Sequence, residues 1–234
     1  MYKRQLLGDG ARLGIHLTYL VQSEPRGLAD AYSVAAEFLD GSSSALILGD
    51  NLFYGVGLGK SLSSQEQIGV GARIFGSQVR DPENYGVLDL GEDLKVREIV
   101  EKPRHPKSNL AVPGLYFLDG SAPERANSLS PSERGELEIS DLLNTYVQEG
   151  SLTHEELPRG TVWLDMGTPS GLAEANDFVR IIQTRQRTQI ACLEEVALRM
   201  KFISLKRFRD ILLELPDGPY SDYLSSVSEG LFEA

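Results

Sequence analysis

Two aspartates each end an apolar segment of similar design. Asp50 ends the segment Leu-Ile-Leu-Gly-Asp, and Asp165 ends the segment Val-Trp-Leu-Asp. Ligands of open parallel sheets bind at the carboxyl ends of the strands, so these aspartates could share one hard cation if their strands are neighbours. Mg²⁺ is usually held by one or two carboxylates together with substrate phosphates. Either aspartate alone could simply cap a turn or a helix, but the pair favours a metal site.

A carboxylate and an ammonium group stand side by side at the end of a predicted strand. Glu101 offers an acceptor for sugar hydroxyls, and Lys102 offers a cation for a phosphate group. On these residues alone, a solvated surface pair is the more common explanation. Arg134 lies where a loop enters a predicted helix, and it could bind phosphate or pair with a carboxylate of Glu133, Glu136 or Glu138.

The segment from Gln22 to Gly27 links a predicted strand to a predicted helix. The amide of Gln22 can read the edge of a nucleobase, and Gly27 lets the backbone approach a ring closely. An ordinary turn between a strand and a helix is the alternative explanation. The two residues are therefore candidates for a nucleotide site.

Short apolar runs alternate with helical patterns, and these elements must position the candidate residues. The runs predict strands at residues 17–21, 45–48, 70–75, 87–90, 96–100, 114–118 and 161–164. Apolar residues at helical spacing predict helices at 28–39, 137–147 and 172–184, with short amphipathic helices from residue 189 onward. This alternation is typical of an α/β fold with a mostly parallel (mixed) sheet flanked by helices.

Composition and charge exclude several classes of function. The 234 residues include 23 Lys and Arg against 34 Asp and Glu, a net charge of −11. We therefore expect no nucleic-acid partner and no anionic membrane surface. No apolar run approaches the roughly 20 residues of a membrane-spanning helix. The single cysteine, Cys192, excludes an intrachain disulfide and fits a reducing compartment, so we expect a cytoplasmic protein.

The motifs occur together, and in the same order, in one known family. From residue 6 to about residue 223, the chain resembles the glucose-1-phosphate thymidylyltransferases. Nine segments carry the resemblance, among them Leu-Gly-Asp-Asn at 48–51, Glu-Lys-Pro at 101–103, Arg-Gly-Glu-Leu-Glu-Ile at 134–139 and Trp-Leu-Asp-Met-Gly-Thr at 163–168. One such segment would be weak evidence, but nine in register indicate membership.

The resemblance implies a nucleotide-diphospho-sugar transferase fold and a nucleotidyl transfer. In that reaction α-D-glucose 1-phosphate and dTTP give dTDP-glucose and pyrophosphate, which opens the route to dTDP-L-rhamnose. The implied partners are dTTP and glucose 1-phosphate, the implied cofactor is Mg²⁺, and the family is usually homotetrameric. Because phosphoryl transfer of this kind rests on positioning and charge neutralisation, no protein nucleophile is needed.

Nucleotide and metal roles follow from the resemblance for four of the candidate residues. Gln22 and Gly27 are implied to recognise thymine. Asp50 and Asp165 are implied to hold Mg²⁺ on the nucleotide phosphates, so Asp50 also counts as a nucleotide-binding residue.

Sugar-phosphate roles follow in the same way. Gly86, Glu101 and the backbone near Val112 are implied to hold the glucose ring, while Lys102 and Arg134 bind the phosphate. The implied catalytic set is then Asp50, Lys102, Arg134 and Asp165.

Three departures from the family pattern accompany the resemblance. Family members begin with a strand and a glycine-rich loop, G-G-x-G-x-R-L-x-P-x-T, that binds the triphosphate, and no segment here corresponds to it. We therefore expect the fold to lack its first strand and this loop, and the 234 residues by themselves to have negligible activity. Pro113 replaces a threonine beside the sugar and removes a backbone donor, and Leu110 replaces an aromatic residue.

The expected organisation is one catalytic domain with a helical extension. Residues 1–188 would form a truncated nucleotidyltransferase domain, and residues 189–234 would form a C-terminal helical segment that packs on it. Two other functions stay open at this point. One is a related sugar-phosphate nucleotidyltransferase with another base or sugar, and the other is a non-catalytic remnant that binds a nucleotide sugar.

Overall fold

Two compact units make up the chain, each with its own hydrophobic core. A computed structural model describes residues 2–63 and 69–230. The sheet unit comprises residues 20–175, and the helical unit comprises residues 1–19 and 176–234. The boundary expected at residue 188 therefore differs from this division. The packing of residues 189–234 on the rest of the chain stays a prediction.

The sheet unit holds the strands. In chain order they are β1 Ser44–Ile47, β2 Asn51–Tyr54, β3 Ala72–Gln78, β4 Gly86–Leu90, β5 Val96–Glu101, β6 Leu110–Ala111, β7 Leu115–Leu118, β8 Leu152–Glu156 and β9 Val162–Asp165. Seven of them form one sheet in the order β1-β7-β3-β6-β4-β5, with β8 also paired to β3. The strands β2 and β9 form a separate two-stranded sheet.

The larger sheet is mixed, as predicted, but it is not mostly parallel. Within residues 2–63 and 69–230, only β3 and β8 pair in parallel, and the other strand pairs are antiparallel. The prediction of a mostly parallel sheet is therefore wrong for this part of the chain. No α-helix lies between β3 and β7. Because parallel neighbours need a crossover of a dozen or more residues, the short connections here return the chain antiparallel.

Helices alternate with these strands and then dominate the C-terminal part. They are α1 Tyr2–Leu7, α2 Asp30–Val34, α3 Ala36–Leu39, α4 Leu58–Ser63, α5 Ala122–Ser128, α6 Ile139–Gln148, α7 Pro169–Gln186, α8 Leu193–Arg199, α9 Leu205–Glu214 and α10 Pro219–Gly230. The start of α7 is capped by Thr168, whose hydroxyl accepts a hydrogen bond from the Gly171 N–H at 3.1 Å. The helices in residues 2–63 and 69–230 include none with the length and apolar composition of a membrane span.

Helix α6 packs against β5, the edge strand that ends at Glu101. Its inward residues Leu142, Leu143 and Tyr146 are fully buried in the core of the sheet unit. Burying each such side chain contributes about 1.5–3 kcal/mol. The Asn144 amide also accepts from the Ile99 N–H at 2.9 Å and donates to the Ile99 carbonyl at 2.8 Å. The edge strand β5 is thereby held in place without a further strand.

Two elements differ from the sequence-based expectation. Residues 17–21 form no strand, and the prediction of one is wrong. A strand needs another strand as its hydrogen-bonded neighbour. Here the Leu17 N–H donates to the carbonyl of Asp9, which lies in a turn, and Val21 is 78% exposed. The predicted helix at 28–39 is divided into α2 and α3 at Ala35, whose backbone leaves the helical region (φ −91°, ψ 2°).

Candidate active site

A cavity of about 780 Å³ opens in the sheet unit. This volume lies within the usual range for small-molecule sites. Among the residues predicted from the sequence, its walls include Asp50, Gly86, Glu101, Lys102, Val112, Arg134 and Asp165. The other two candidates, Gln22 and Gly27, are not on its walls, although the neighbouring Leu28 is. The fold thus brings together residues that lie far apart in the sequence.

The two-stranded sheet of β2 and β9 places the aspartates side by side. Asn51 is the direct cross-strand partner of Asp165, and the Met166 N–H donates to the Asp50 carbonyl at 2.8 Å. The strands that end before Asp50 and at Asp165 are not paired with each other, since β1 pairs with β7 and β9 pairs with β2. Asp165 ends β9, but Asp50 lies in the turn before β2, and the antiparallel pairing of these strands brings the start of one to the end of the other.

The two carboxylates face a shared space beside Gly167. A Cβ on that glycine would stand 3.2 Å from Asp165 Oδ1 and 3.6 Å from Asp50 Oδ2. Within the described ranges, no group of three or more His, Cys, Asp or Glu side chains could hold a metal ion. Two converging carboxylates do fit Mg²⁺, which takes one or two protein carboxylates and completes its shell with phosphates and water.

Strands β4 and β5 contribute another part of the cavity wall. Gly86 and Glu101 are cross-strand partners, and a Cβ on Gly86 would stand 3.3 Å from Glu101 Oε2. The Val112 N–H donates to the Gly86 carbonyl at 2.8 Å. That N–H is therefore already used within the protein. The glycine keeps the space above the Glu101 carboxylate open.

Lys102 has an unusual backbone conformation. Its φ is +44°, in the left-handed region that residues with a Cβ rarely adopt, and its N–H donates to the Tyr85 carbonyl at 2.9 Å. Such strain persists only where the surroundings impose it and is common at functional sites. The conformation turns the chain sharply after Glu101 while both side chains stay on the cavity wall.

Arg134 is shared among three carboxylates. Its Nη2 donates to Glu138 Oε2 at 2.7 Å and lies 3.5 Å from Glu136 and 3.8 Å from Glu101, while its Nε donates to Glu138 Oε1 at 3.1 Å. The alternative of pairing with neighbouring glutamates is thus realised for Glu136 and Glu138. Phosphate binding by Arg134 stays a prediction.

The carboxylates around Arg134 differ in proton affinity. Burial raises the pKa of Glu101, and the nearby charge of Glu138 raises it further, against the opposite effects of Arg134 and Lys102. Burial would also raise the pKa of Glu138, but hydrogen bonds from Arg134 and Ser132 outweigh it, so that pKa lies below its ordinary value. The site therefore pairs a carboxyl of raised pKa, Glu101, with one of lowered pKa, Glu138.

The nucleotide candidates lie beside the backbone of Leu137. The Gln22 Nε2 donates to the Gly27 carbonyl at 3.1 Å and to Asp30 Oδ2 at 2.8 Å. Gly27 has a φ of +109°, and a Cβ there would stand 2.5 Å from the Leu137 nitrogen and oxygen. Glycine is therefore required by close packing at this turn. Recognition of thymine by these two residues stays a prediction.

Several wall residues were not given a role from the sequence. Asn51 and Trp163 belong to the family motifs found in the sequence. The hydrogen bond between them joins residues 112 positions apart, and no sequence pattern indicates it. The ring of Trp163 lies 5.1 Å from that of Tyr85, which forms an aromatic wall. Tyr116 is buried, and burial raises its pKa well above the ordinary value, so its hydroxyl stays protonated.

Acidic residues outnumber basic ones on the cavity walls. Among the residues that the structure describes, the walls have two basic ones, Lys102 and Arg134, and seven acidic ones: Asp50, Asp81, Glu101, Glu136, Glu138, Asp165 and Glu174. A triphosphate cannot be neutralised by two cations of which one is already paired. Divalent metal ions would supply the missing positive charge.

Comparison with known proteins decides the family. Residues 1–181 match a family model described as nucleotidyl transferase. The chain belongs to the nucleotidyl transferase family. One member of this nucleotidyl transferase family, the glucose-1-phosphate thymidylyltransferase of Xanthomonas campestris pv. campestris, is 44% identical over 226 residues, which cover 97% of this chain and 77% of that protein. The enzyme of the same name from Mycobacterium tuberculosis is 44% identical over 225 residues, covering 96% and 78%.

Solved structures of nucleotidyl transferases share the fold. A Bacillus anthracis protein, described as a glucose-1-phosphate thymidylyltransferase and crystallised in complex with sucrose, matches with a TM-score of 0.67 at 36% identity, covering 76% of this chain and 71% of that one. A UDP-glucose pyrophosphorylase complexed with UDP-glucose gives 0.60 at 24% identity, covering 70% and 66%, a likeness of fold alone. The predicted nucleotide-diphospho-sugar transferase fold is thereby confirmed.

Proposed function

We propose that the cavity serves the transfer of a thymidylyl group from dTTP to α-D-glucose 1-phosphate, which gives dTDP-glucose and pyrophosphate. One observation carries the proposal: the aspartate pair Asp50 and Asp165 and the Glu101–Lys102 pair lie on the walls of one cavity. The aspartate pair suits a metal-bound nucleotide, and the Glu101–Lys102 pair suits a sugar phosphate. The reaction needs these two substrates close together. Relatives that carry this enzyme name at 44% identity support the choice of substrates.

The residues bind and orient, and none acts as a nucleophile. A phosphate oxygen of glucose 1-phosphate forms a bond to the α-phosphorus of dTTP, while the bond from that phosphorus to the β-phosphate oxygen breaks and pyrophosphate leaves. Holding the two substrates in line supplies much of the rate enhancement. Asp50 and Asp165 would hold Mg²⁺, which when bound neutralises charge on the nucleotide phosphates.

The Glu101–Lys102 turn is the proposed sugar-phosphate subsite. The Glu101 carboxylate would accept hydrogen bonds from ring hydroxyls over the open space at Gly86, and the Lys102 ammonium would contact the phosphate. Arg134 would assist by exchanging part of its contact with Glu136 or Glu101 for that phosphate. The Val112 N–H is used by Gly86, so the Val112 contribution would come from its carbonyl.

The remaining expectations complete the proposal. Gln22 and Gly27 would recognise thymine at the turn beside Leu137. As the resemblance implies, we propose an enzyme of dTDP-L-rhamnose synthesis that assembles as a homotetramer. The single cysteine supports the proposal of a cytoplasmic location.

Binding measurements test the proposal directly. The chain is titrated in a calorimeter with dTDP-glucose, UDP-glucose, ADP-glucose and GDP-mannose, and separately with glucose 1-phosphate and galactose 1-phosphate, each with Mg²⁺. We expect the tightest binding for dTDP-glucose and for glucose 1-phosphate. Tighter binding of another base or sugar would favour a related nucleotidyltransferase, and binding of none would overturn the proposal. That the 234 residues by themselves have negligible activity stays a separate prediction from the sequence.

A further inference from the structure

The side chain of Asn51 links the proposed metal site to the aromatic wall of the cavity. Its Oδ1 accepts hydrogen bonds from the Trp163 Nε1–H at 2.6 Å and from the Gly114 N–H at 3.0 Å. Its Nδ2 donates to Asp50 Oδ1 at 3.1 Å. The three partners come from β9, from the residue before β7 and from the turn before β2. One amide thus joins three separate pieces of the site.

This pattern allows one orientation of the Asn51 amide. Both Trp163 Nε1–H and Gly114 N–H can only donate, so the atom that faces them must be the amide oxygen. In the flipped orientation the NH₂ group would face two donors, and the oxygen would face the Asp50 carboxylate, so all three hydrogen bonds would be lost. The Nδ2 is therefore fixed toward Asp50.

The Asn51 side chain packs closely against the backbone of Gly114, where there is no room for a Cβ atom. A Cβ on Gly114 would stand 2.8 Å from Asn51 Oδ1 and 2.5 Å from the Leu48 side chain. Any larger residue at 114 would push the Asn51 oxygen away from the backbone N–H. The absence of a side chain at Gly114 thus allows the hydrogen bond from its N–H to Asn51 Oδ1.

We infer that Asn51 is a positioning residue that orients the Asp50 carboxylate for a divalent cation. Asn51 holds Oδ1 of Asp50, which leaves Oδ2 facing the space beside Gly167 that Asp165 Oδ1 also faces. Trp163 is linked to Asp50 through Asn51 by these two hydrogen bonds. Groups that hold a metal ligand in this way usually change metal affinity by 10- to 100-fold when they are removed. The inference rests on the proposed function, since it takes Asp50 and Asp165 as the metal ligands.

Mn²⁺ serves as the probe because its free form is counted by electron paramagnetic resonance without any turnover. Asn51→Leu should raise the Kd for Mn²⁺ about 10-fold or more. Trp163→Phe keeps the ring beside Tyr85 but removes the Nε1–H, and it should raise the Kd by a smaller factor. Because both act through one amide, the double variant should bind Mn²⁺ no more weakly than Asn51→Leu alone.

Asn84→Leu is the matched control. Asn84 also lines the cavity, and its Nδ2 donates to Asp81 Oδ2 at 2.9 Å, so it repeats the Asn–Asp hydrogen bond at a carboxylate outside the proposed metal pair. We expect this variant to bind Mn²⁺ like the wild-type chain. An equal loss in Asn84→Leu and Asn51→Leu would overturn the inference, because the effect would then be a general disturbance of the cavity.

Two further outcomes separate the inference from the proposed function. If the wild-type chain binds Mn²⁺ and Asp50→Asn abolishes binding, but Asn51→Leu and Trp163→Phe both keep the wild-type Kd, the positioning role is wrong and the metal site stands. If the wild-type chain binds no Mn²⁺, or Asp50→Asn binds it unchanged, the metal site itself is wrong. Thermal unfolding of each variant accompanies the titrations, and Trp163→Phe decides the matter if Asn51→Leu does not fold.

Discussion

The carboxylates of Asp50 and Asp165 both lie within 4 Å of one point, the position at which a Cβ on Gly167 would stand. The distances from it are 3.6 Å to Asp50 Oδ2 and 3.2 Å to Asp165 Oδ1. Proximity in the sequence does not explain this approach, since 115 positions separate the two aspartates. Glycine at 167 therefore keeps open the space that a cation between them would occupy.

Gly167→Ala should weaken metal binding without affecting folding. The added methyl group would stand in the shared space, so we expect the Kd for Mn²⁺ to rise several-fold, as paramagnetic resonance can measure. Gly69→Ala adds the same group where nothing lies within 4 Å, and it should leave the Kd unchanged. Unchanged affinity in Gly167→Ala would show that no cation binds between these carboxylates.

Asp165→Asn should change dTTP binding in opposite directions with and without metal. With Mg²⁺ present, the loss of a ligand should lower the affinity at least 10-fold. Without a divalent ion, the removal of one negative charge from a wall with seven acidic and two basic residues should raise it slightly. Asp50→Asn should behave in the same way. Calorimetry in Mg²⁺ and in EDTA measures both effects, and a parallel change in the two buffers would contradict the assignment.

Gln22→Ala should weaken the binding of dTDP-glucose but not that of glucose 1-phosphate. Loss of one hydrogen bond costs about 0.5–1.5 kcal/mol, or roughly 2- to 12-fold in Kd. Gln148→Ala removes the same amide from the exposed end of α6 and is the control. Because the Gln22 amide also holds Gly27 and Asp30, thermal unfolding is recorded as well. An equal effect on both ligands would mean that Gln22 is only a turn residue.

Glu101 should make the folded chain less stable as the pH rises. Its raised pKa means that it binds its proton more tightly in the folded than in the unfolded state. Stability is therefore lost between the ordinary value of 4.5 and the raised pKa. The lowered pKa of Glu138 acts in a different range, since its contribution is lost only as the pH falls below 4.5.

Glu101→Gln should remove the loss of stability with rising pH that the raised pKa of Glu101 causes. Urea unfolding at several pH values above 4.5 measures the effect, and Glu98→Gln on an exposed position of β5 is the control. The variant should gain stability relative to the wild type as the pH rises. Identical pH profiles for wild type and Glu101→Gln would exclude a raised pKa at this carboxyl.

Lys102 allows backbone strain and charge to be separated. Lys102→Gly should relieve the left-handed conformation at φ +44°, a gain of about 1 kcal/mol, whereas Lys102→Met should not. Both variants lose the ammonium group, so both should bind glucose 1-phosphate more weakly. Unfolding and calorimetry measure the two properties. If Lys102→Met retained wild-type affinity, Lys102 would not be a phosphate ligand.

The sequence by itself predicted most of the candidate residues that line the cavity and where most elements lie. Asp50, Asp165 and the Glu101–Lys102 pair were all recognisable because each stands at the end of a short apolar run. Helix α6 and strands β1, β4, β5 and β9 were predicted within a few residues. These features depend on local hydrophobic periodicity and capping, which neighbouring residues set.

Only the tertiary structure decided how these pieces meet. The antiparallel pairing of β2 with β9, the approach of Glu101 to Arg134, and the hydrogen bond from Trp163 to Asn51 all join segments far apart in the chain. Residues 17–21 have the composition of a strand but form none. Strand formation depends on a hydrogen-bonded partner, and the choice of partner is a property of the whole fold that no local pattern contains.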